Sequence, residues 1–365
     1  MKNTIGNSVT VTLFGESHGE AIGCVIDGLA PGIEVDEQFI SSQMEKRKGI
    51  SSISTKRREA DKVNILSGVL EGRTTGTPIC LMIENTNTKS GDYSLMKSLA
   101  RPGHADYTAE CKYHGFQDYR GGGHFSGRLT APLVAAGAIM LSALKKKGIE
   151  IGTHISRIGD ICDRDFENLN EDIKLLDTLE MPVLCEEKRQ QMLSCIESVA
   201  NEGDSVGGIL STIVTGVPAS VGEPWFDSVE SMLSHALFSI PAVKGIEFGK
   251  GFGFADMKGS QANDPFSVCC GKIVTDTNNN GGINGGITNG MPILFSLAVK
   301  PTPSIFKSQN TVDFRKKENA VLGIKGRHDP AIVHRARVVV DSVTAIVLCD
   351  MLTGRYGNDY LGCDK

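Results

Sequence analysis

Polar and apolar positions alternate at the start of the chain. Ser8-Val9-Thr10-Val11-Thr12-Leu13-Phe14 has the period of two of a half-buried strand and runs directly into the turn-like Gly15-Glu16-Ser17-His18-Gly19. Cys24-Val25-Ile26 predicts a second strand, and residues 63–70, 78–83, 209–217 and 293–299 predict others. After Asp36 the period becomes helical: Phe39, Ile40 and Met44 share a face, Asp36 is placed to cap it, Gly49 to stop it, and Arg47 falls in the last turn.

The longest apolar run, 129–144, predicts a helix over 130–147 with a basic last turn, Lys145-Lys146-Lys147, and Gly148 beyond it. Pro132 and Ser142 interrupt the run, and it is shorter than the roughly 20 residues a bilayer span needs. Helices are also predicted over 228–237 and 341–352, the second stopping near Gly354. Short strands and helices alternate throughout, without a repeat or a Pro/Ser-rich linker, so residues 1–365 are read as one domain. A cut near Glu150 has nothing to support it.

Composition narrows the partners. The chain has 365 residues, 40% hydrophobic and 22% charged, enough to bury a large core. Its formal charge of -5 removes the overall positive field that favours nucleic acid or a membrane surface, so an anionic partner must be met in a local pocket. The first residues lack the apolar segment of a secretory signal. The cysteines are scattered, and the one adjacent pair, Cys269 and Cys270, lacks the C-x-x-C spacing of zinc and redox sites. Reduced thiols in a cytoplasmic protein follow as the expectation, with no metal centre, since His-x-x-His and His-x-x-x-His spacings are absent.

The candidate chemistry lies in loops. Glycine is abundant, 42 residues, and concentrates in Gly121-Gly122-Gly123, 249–253 and 281–286, where backbone N–H groups can approach a phosphate or a ring. Neither a P-loop nor a G-x-G-x-x-G fingerprint is present. Basic residues gather in Lys46-Arg47-Lys48, Lys56-Arg57-Arg58, Arg101, Arg120, Arg128 and Lys325-Gly326-Arg327, as a substrate with several negative charges requires. His18, His104, His124 and His328 lie in Gly- or Arg-flanked loops and suit proton transfer, whereas His154 and His235 sit among ordinary strand or helix residues. Read from the residues alone, this is an enzyme acting on a phosphorylated, multiply anionic small molecule. A metal-dependent phosphate-ester hydrolase or transferase, and an anion- or nucleic-acid-binding module built on 46–58, stand as the alternatives.

Seven segments taken in order carry a resemblance. They are Gly15-Glu16-Ser17-His18-Gly19, Thr55-Lys56-Arg57-Arg58-Glu59-Ala60-Asp61, Arg101-Pro102-Gly103-His104-Ala105-Asp106, Arg120-Gly121-Gly122-Gly123, Gly203-Asp204-Ser205-Val206-Gly207, Lys300-Pro301-Thr302-Pro303-Ser304-Ile305 and Lys325-Gly326-Arg327-His328-Asp329-Pro330. Together they resemble the successive signatures of the chorismate synthase family, from Gly15 to Leu352.

The resemblance implies an α+β sandwich of helices between two antiparallel sheets, a homotetramer, and a lyase of the shikimate pathway of aromatic amino acid biosynthesis. It implies a 1,4-anti elimination of phosphate from 5-enolpyruvylshikimate 3-phosphate with reduced FMN, the flavin coming from an external flavin reductase with NADPH as the associated reductant. By position, His18 resembles the histidine facing the leaving phosphate and His104 the one that protonates the flavin, while Ser17 and Asp329 resemble the pair that assists proton removal. Arg47, Arg128 and Arg327 match the substrate's arginines. Ser126, Gly127, the 281–286 loop with Gly285 and Gly286, Lys300, Thr302, Pro303, Ser304 and Ile305 fall where the family contacts FMN. The chain departs from the common pattern at His124-Phe125-Ser126-Gly127-Arg128-Leu129-Thr130, where many members have Arg-Ser-Ser-Ala-Arg-Glu-Thr, and in 48–52, where a family arginine is replaced.

Overall fold

The computed structural model describes residues 2–50, 61–86, 97–324 and 329–362. Two five-stranded sheets, antiparallel throughout, dominate it. One comprises β1 (Thr4–Ile5), β2 (Thr10–Gly15), β3 (Ala21–Asp27), β4 (Asn64–Ile65) and β7 (Ile79–Glu84), in the order β1-β2-β3-β7-β4. The other comprises β8 (Glu150–Ile158), β9 (Ile161–Cys162), β10 (Gly208–Thr215), β11 (Val243–Phe248) and β16 (Ile293–Val299), in the order β11-β16-β10-β8-β9. Two-stranded hairpins stand apart: β5 (Val69–Leu70) with β6 (Arg73–Thr74), β12 (Phe266–Cys269) with β13 (Lys272–Thr275), β14 (Ile283–Asn284) with β15 (Ile287–Thr288), and β17 (Gln309–Asp313) with β18 (Glu318–Leu322).

The strands form where period-two alternation gives the sheet one apolar face. Ile79, Leu81 and Ile83 of β7, and Ile293, Phe295, Leu297 and Val299 of β16, all point inward and are buried. Between the sheets lie two helices in contact with each other, α3 (Thr130–Lys146) against β2, β3 and β7, and α8 (Val333–Tyr356) against β8 and β10. The result is a layered α+β sandwich, helices inside and sheets outside, as expected.

Both central helices are apolar around most of their circumference because each meets a sheet on one side and a helix on the other. The backbones approach closely where α3 carries Gly137: a Cβ there would stand 2.3 Å from the Cβ of Ser342 on α8. Pro132 falls in the first turn of α3, where its missing N–H costs no helical bond. With the preceding turn, Gly127–Lys146 is long and apolar enough to cross a membrane by length and composition, yet 83% of its most apolar window is enclosed by protein.

The remaining helices pack around this pair or along the second sheet: α1 (Glu37–Lys46), α2 (Asp106–Tyr113), α4 (Leu169–Thr178), α5 (Glu186–Asn201), α6 (Val229–Leu237) and the single turn α7 (Gly259–Ala262). Asp36 caps α1 as expected, accepting from the backbone N of Gln38 at 2.8 Å and Phe39 at 3.1 Å. Arg47 is the residue that follows the last turn, two short of Gly49.

Two expectations are revised. The strand over 63–70 is two short pieces, parted at Ser67-Gly68, where Gly68 has φ of 78°. The helix over 341–352 is α8, twice as long: it begins at Val333, and its first turns carry His334, Arg335 and Arg337, with His334 and Arg337 buried.

Candidate active site

The loop after β2 places Ser17 and His18, both buried, against the glycine run 121–123. Ser17 N donates to Gly123 O at 3.2 Å, and the side chain of Asn85 ties the loop from the other side, its Nδ2 donating to Glu16 O and Gly19 O at 3.0 Å. Ser17 Oγ lies 3.2 Å from His18 Nδ1 and 3.2 Å from the carbonyls of Arg120 and Gly121.

These glycines are required. Gly121, at φ 59°, would bring a Cβ to 2.1 Å from His18 Cε1, and Gly122, at φ 87°, would bring one to 3.3 Å from His104 Cε1. The tri-glycine segment is therefore the wedge between the two histidines, thin because any side chain would displace one of them.

His104 sits in a fixed polar frame. Its Nδ1 is 3.0 Å from Asp106 Oδ1 and 3.0 Å from Arg101 Nη2, while Arg101 also donates to Asp106 through Nε at 2.8 Å and Nη2 at 2.7 Å. With a proton on Nδ1 the ring donates to Asp106; without it, Nδ1 accepts from Arg101. Nδ1 therefore finds a partner in either tautomer. Burial alone would raise the Asp106 carboxyl, but hydrogen bonds from Arg101 and His104 hold it well below the usual carboxylate range.

A second charged group lies behind these loops. Arg47 Nη2 donates to Asp61 Oδ2 at 2.5 Å and Arg128 Nη1 donates to Asp61 Oδ1. Arg128 Nε also donates to Asn85 Oδ1 at 3.1 Å, which joins this group to the Ser17 loop. Burial would raise Asp61, yet the two guanidiniums pull its carboxyl below its ordinary value. Burial in turn lowers Arg47, Arg128 and Arg335 adding to the effect. Asp329, buried, is ion-paired with Arg335 on the first turn of α8. Arg327 and His328 lie outside the described residues, as do Lys56, Arg57 and Arg58.

Beside His104 and Gly121 opens a cavity of about 740 Å³, and His18 is not among the residues that line it. Its walls include Leu13, Leu129, Leu133, Ile240 and Ile332, and its polar rim Lys2, Lys244, Lys300, His235 and Arg335. Of the residues expected at the cofactor, Ser126, Gly127, Lys300 and Pro303 line it together with His104. Lys300 Nζ is braced on Gly103 O at 2.5 Å. Thr302 is held through its carbonyl by Ser205 Oγ at 2.7 Å, and Ser304 is buried nearby in sequence. Gly285 and Gly286 lie elsewhere, at the start of α6, where Val229 N donates to Gly286 O at 2.9 Å, and they are not among the residues lining this cavity.

Asp61 and Asp106 stand inside the motifs without an expected role, and nothing in the local sequence marks Lys2, Lys244 or Arg335. His235 read as an ordinary helical residue because only tertiary packing brings the end of α6 to the cavity. Asp106 had a signal, since a carboxylate two residues after a loop histidine can reach its Nδ1.

Two loop histidines parted by glycines, a buried arginine pair and an apolar cavity beside His104 have the make-up of an enzyme site for a small molecule. The family profile described as Chorismate synthase matches residues 9–353. Chorismate synthase of Thermococcus kodakarensis is 46% identical over 351 residues, covering 96% of this chain and 97% of that one. The same-named protein of Methanobrevibacter smithii is 47% identical over 355 residues, covering 96% of each. A solved structure described as a crystal structure of chorismate synthase superposes with a TM-score of 0.77 at 29% identity, covering 97% of this chain and 94% of that one. The chain belongs to the chorismate synthase family, and it is an enzyme, a lyase.

Proposed function

We propose that this enzyme makes chorismate by 1,4-anti elimination of phosphate from 5-enolpyruvylshikimate 3-phosphate, assisted by reduced FMN. The observation that carries the reading is the pair His18 and His104, held apart by Gly121 and Gly122, with His104 and Gly121 on the wall of an apolar cavity that Lys2, Lys244 and Lys300 also line. That cavity fits a flat tricyclic ring with an anionic tail: apolar walls for the ring, and Lys2, Lys244 and Lys300 for the phosphate. Ser126, Gly127, Lys300 and Pro303 would hold it, with Thr302, Ser304, Ile305, Gly285 and Gly286 as further family positions. Reduced FMN, when bound, supplies the electron-rich ring that makes loss of a non-acidic hydrogen feasible as phosphate departs.

The chain's own groups supply charge, orientation and protons. Arg47 and Arg128, with Arg327 as the third, receive the substrate's phosphate and carboxylates. His18, its Nδ1 engaged by Ser17, uses Nε2 to protonate the leaving phosphate oxygen. His104, its Nδ1 partnered in either tautomer, holds or releases a proton beside the cavity. Asp329, oriented by Arg335, and Ser17 take part in accepting the proton lost in the elimination. The reading brings with it a homotetramer in the cytoplasm and an external flavin reductase.

The test is an anaerobic assay of phosphate and chorismate release with photoreduced FMN. Many turnovers per flavin are expected, with activity lost on oxidation by air. Consumption of one reduced flavin per product overturns the proposal.

A further inference from the structure

His104 stands in a wall between two cavities. On one side is the cavity of about 740 Å³. On the other is a second one of about 270 Å³, enclosed by α2, the tri-glycine segment and the tip of the β17–β18 hairpin. His104, Ala105 and Phe125 are the residues that line both. The ring sets Cε1 and Nε2 against Gly122, where a Cβ would stand 3.3 Å and 3.6 Å from them, and Gly122 lines the second cavity but not the first. Its Nδ1 is bonded to Asp106, which again lines only the second of the two.

This second cavity runs from the surface inward. Lys97, Gly115, Tyr119 and Arg315 on its lining are exposed, whereas Ala109 and Gly122 are buried. It has room for several waters at roughly 30 Å³ each. Gln117, also on the lining, has a buried Oε1 with no hydrogen-bond partner, while its Nε2 donates to Glu110 Oε2 at 2.8 Å. A buried acceptor left open on a polar lining is where a water donates.

We infer that the second cavity is the proton entry to His104: solvent reaches the ring through it while the large cavity is occupied. This rests on the reading of His104 as a proton carrier beside a cofactor in the large cavity. Once that cavity is filled, its own path from solvent to the ring is closed, and a ring that holds or releases a proton there needs another. In each exchange one proton passes between a ring nitrogen and water of the second cavity, bulk buffer supplies or takes it up, and no bond between heavy atoms changes. Asp106 does not carry that proton. Against its burial, the hydrogen bonds of Arg101 and His104 hold its carboxyl well below the usual carboxylate range, so it stays charged and favours the protonated ring.

The test is exchange of the His104 Cε1–H for deuterium in the full chain, followed by mass spectrometry of its peptides across pH, with and without saturating FMN. The plateau rate reports access of solvent to the ring and the midpoint its pKa, so a blocked path and a shifted ring are told apart. Wild type should keep its plateau within about twofold when FMN is bound. Ala109→Leu, which puts a larger side chain into the second cavity, should exchange like wild type without FMN and about tenfold more slowly with it. Ala109→Val should slow exchange less, in the same direction, and Ala109→Ser, of nearly unchanged volume, not at all. His154, buried on β8 and lining neither cavity, should exchange alike in every variant and reports an intact fold.

A wild-type plateau that falls about tenfold on FMN binding overturns the inference, because the large cavity is then the path. So does a folded, FMN-bound Ala109→Leu or Ala109→Val protein that exchanges as wild type does. Equilibrium dialysis and amide exchange over residues 126–133 read FMN binding separately. If FMN does not bind, or binds without protecting those amides, the reading of the large cavity fails and the inference with it; if FMN binds there and only the His104 results fail, the cavity reading stands.

Discussion

Asp61 and Asp341 are both buried aspartates, one at the site and one in the core, and they are handled in opposite ways. Asp61 meets two guanidiniums directly, and its carboxyl falls below the ordinary value despite burial. Asp341, on α8, accepts from Thr153 Oγ1 at 2.6 Å, and Thr153 in turn lies 2.8 Å from Thr212 Oγ1. Burial pushes that carboxyl up to about 6, and the charge of Arg337 and the Thr153 bond offset only part of the rise. Burial therefore does not decide the charge of a carboxyl; contact with a cation does. At the site, charge is concentrated and left partly unsatisfied. In the core it is reduced, and polar groups are absorbed into short hydrogen-bonded chains.

If this contrast holds, substitutions at the site remove function before stability, and those in the core do the reverse. The largest effect is expected at Arg128. Arg128→Ala removes a charge-assisted partner of a buried anion, a loss of about 2–5 kcal/mol in substrate affinity, read by titration calorimetry. Wild-type affinity would mean that Arg128 serves the fold and not the substrate, and that its charge is structural in the same sense as the core's.

Next come Asp329→Asn and Ser17→Ala. Each should lower turnover by roughly 10²-fold in anaerobic single-turnover kinetics, with melting temperatures close to wild type. If the two serve one proton transfer, as proposed, the double variant should be little worse than the poorer single one. Near-normal rates in a folded Asp329→Asn protein would leave this aspartate as an anchor for Arg335 and nothing more.

In the core, Gly137→Ala should cost about 1–3 kcal/mol of unfolding free energy in urea, since the new Cβ meets Ser342 at 2.3 Å and the two central helices must separate. Substrate affinity of the folded fraction should not change. A neutral result would show that the helix pair yields more readily than its packing suggests.

The smallest effect is the most specific. The folded-state value of Asp341 lies above its ordinary 3.8, so folding favours the protonated form, and its contribution to stability falls as pH rises from about 4 to about 6. Asp61 and Asp106, shifted down, act with the opposite sign: their contribution is present above the ordinary carboxylate range and is lost as pH falls through their folded values. Asp341→Asn should therefore gain stability relative to wild type between pH 4 and pH 7, by about 3 kcal/mol. A gap between the two proteins that does not change with pH would mean that Asp341 is charged in the core, and the contrast with Asp61 would vanish.

Local pattern carried much of the fold. β2, β16, the cap of α1 and the extent of α3 follow from alternation, a capping aspartate and an apolar run, all of which act over a few residues. The first turns of α8 did not, because His334 and Arg337 are polar residues that only the surrounding layers bury. At the site, Ser17, His18, His104 and the glycines at 121–123 were legible as segments. That Gly121 touches His18 and Gly122 touches His104 was not, because the first contact joins residues about a hundred apart in the chain and the second crosses a helix and a turn.

The sequence by itself determined the kinds of group available: loop histidines, clustered arginines, glycines where a Cβ is excluded, and an order of motifs shared with one family. Those are properties of residue type and short spacing. Only the tertiary structure decided which charges meet. It paired Arg47 and Arg128 with Asp61, Arg335 with Asp329, and left Asp341 with a threonine. Coulomb energies depend on separation and burial, and neither is written in the order of residues.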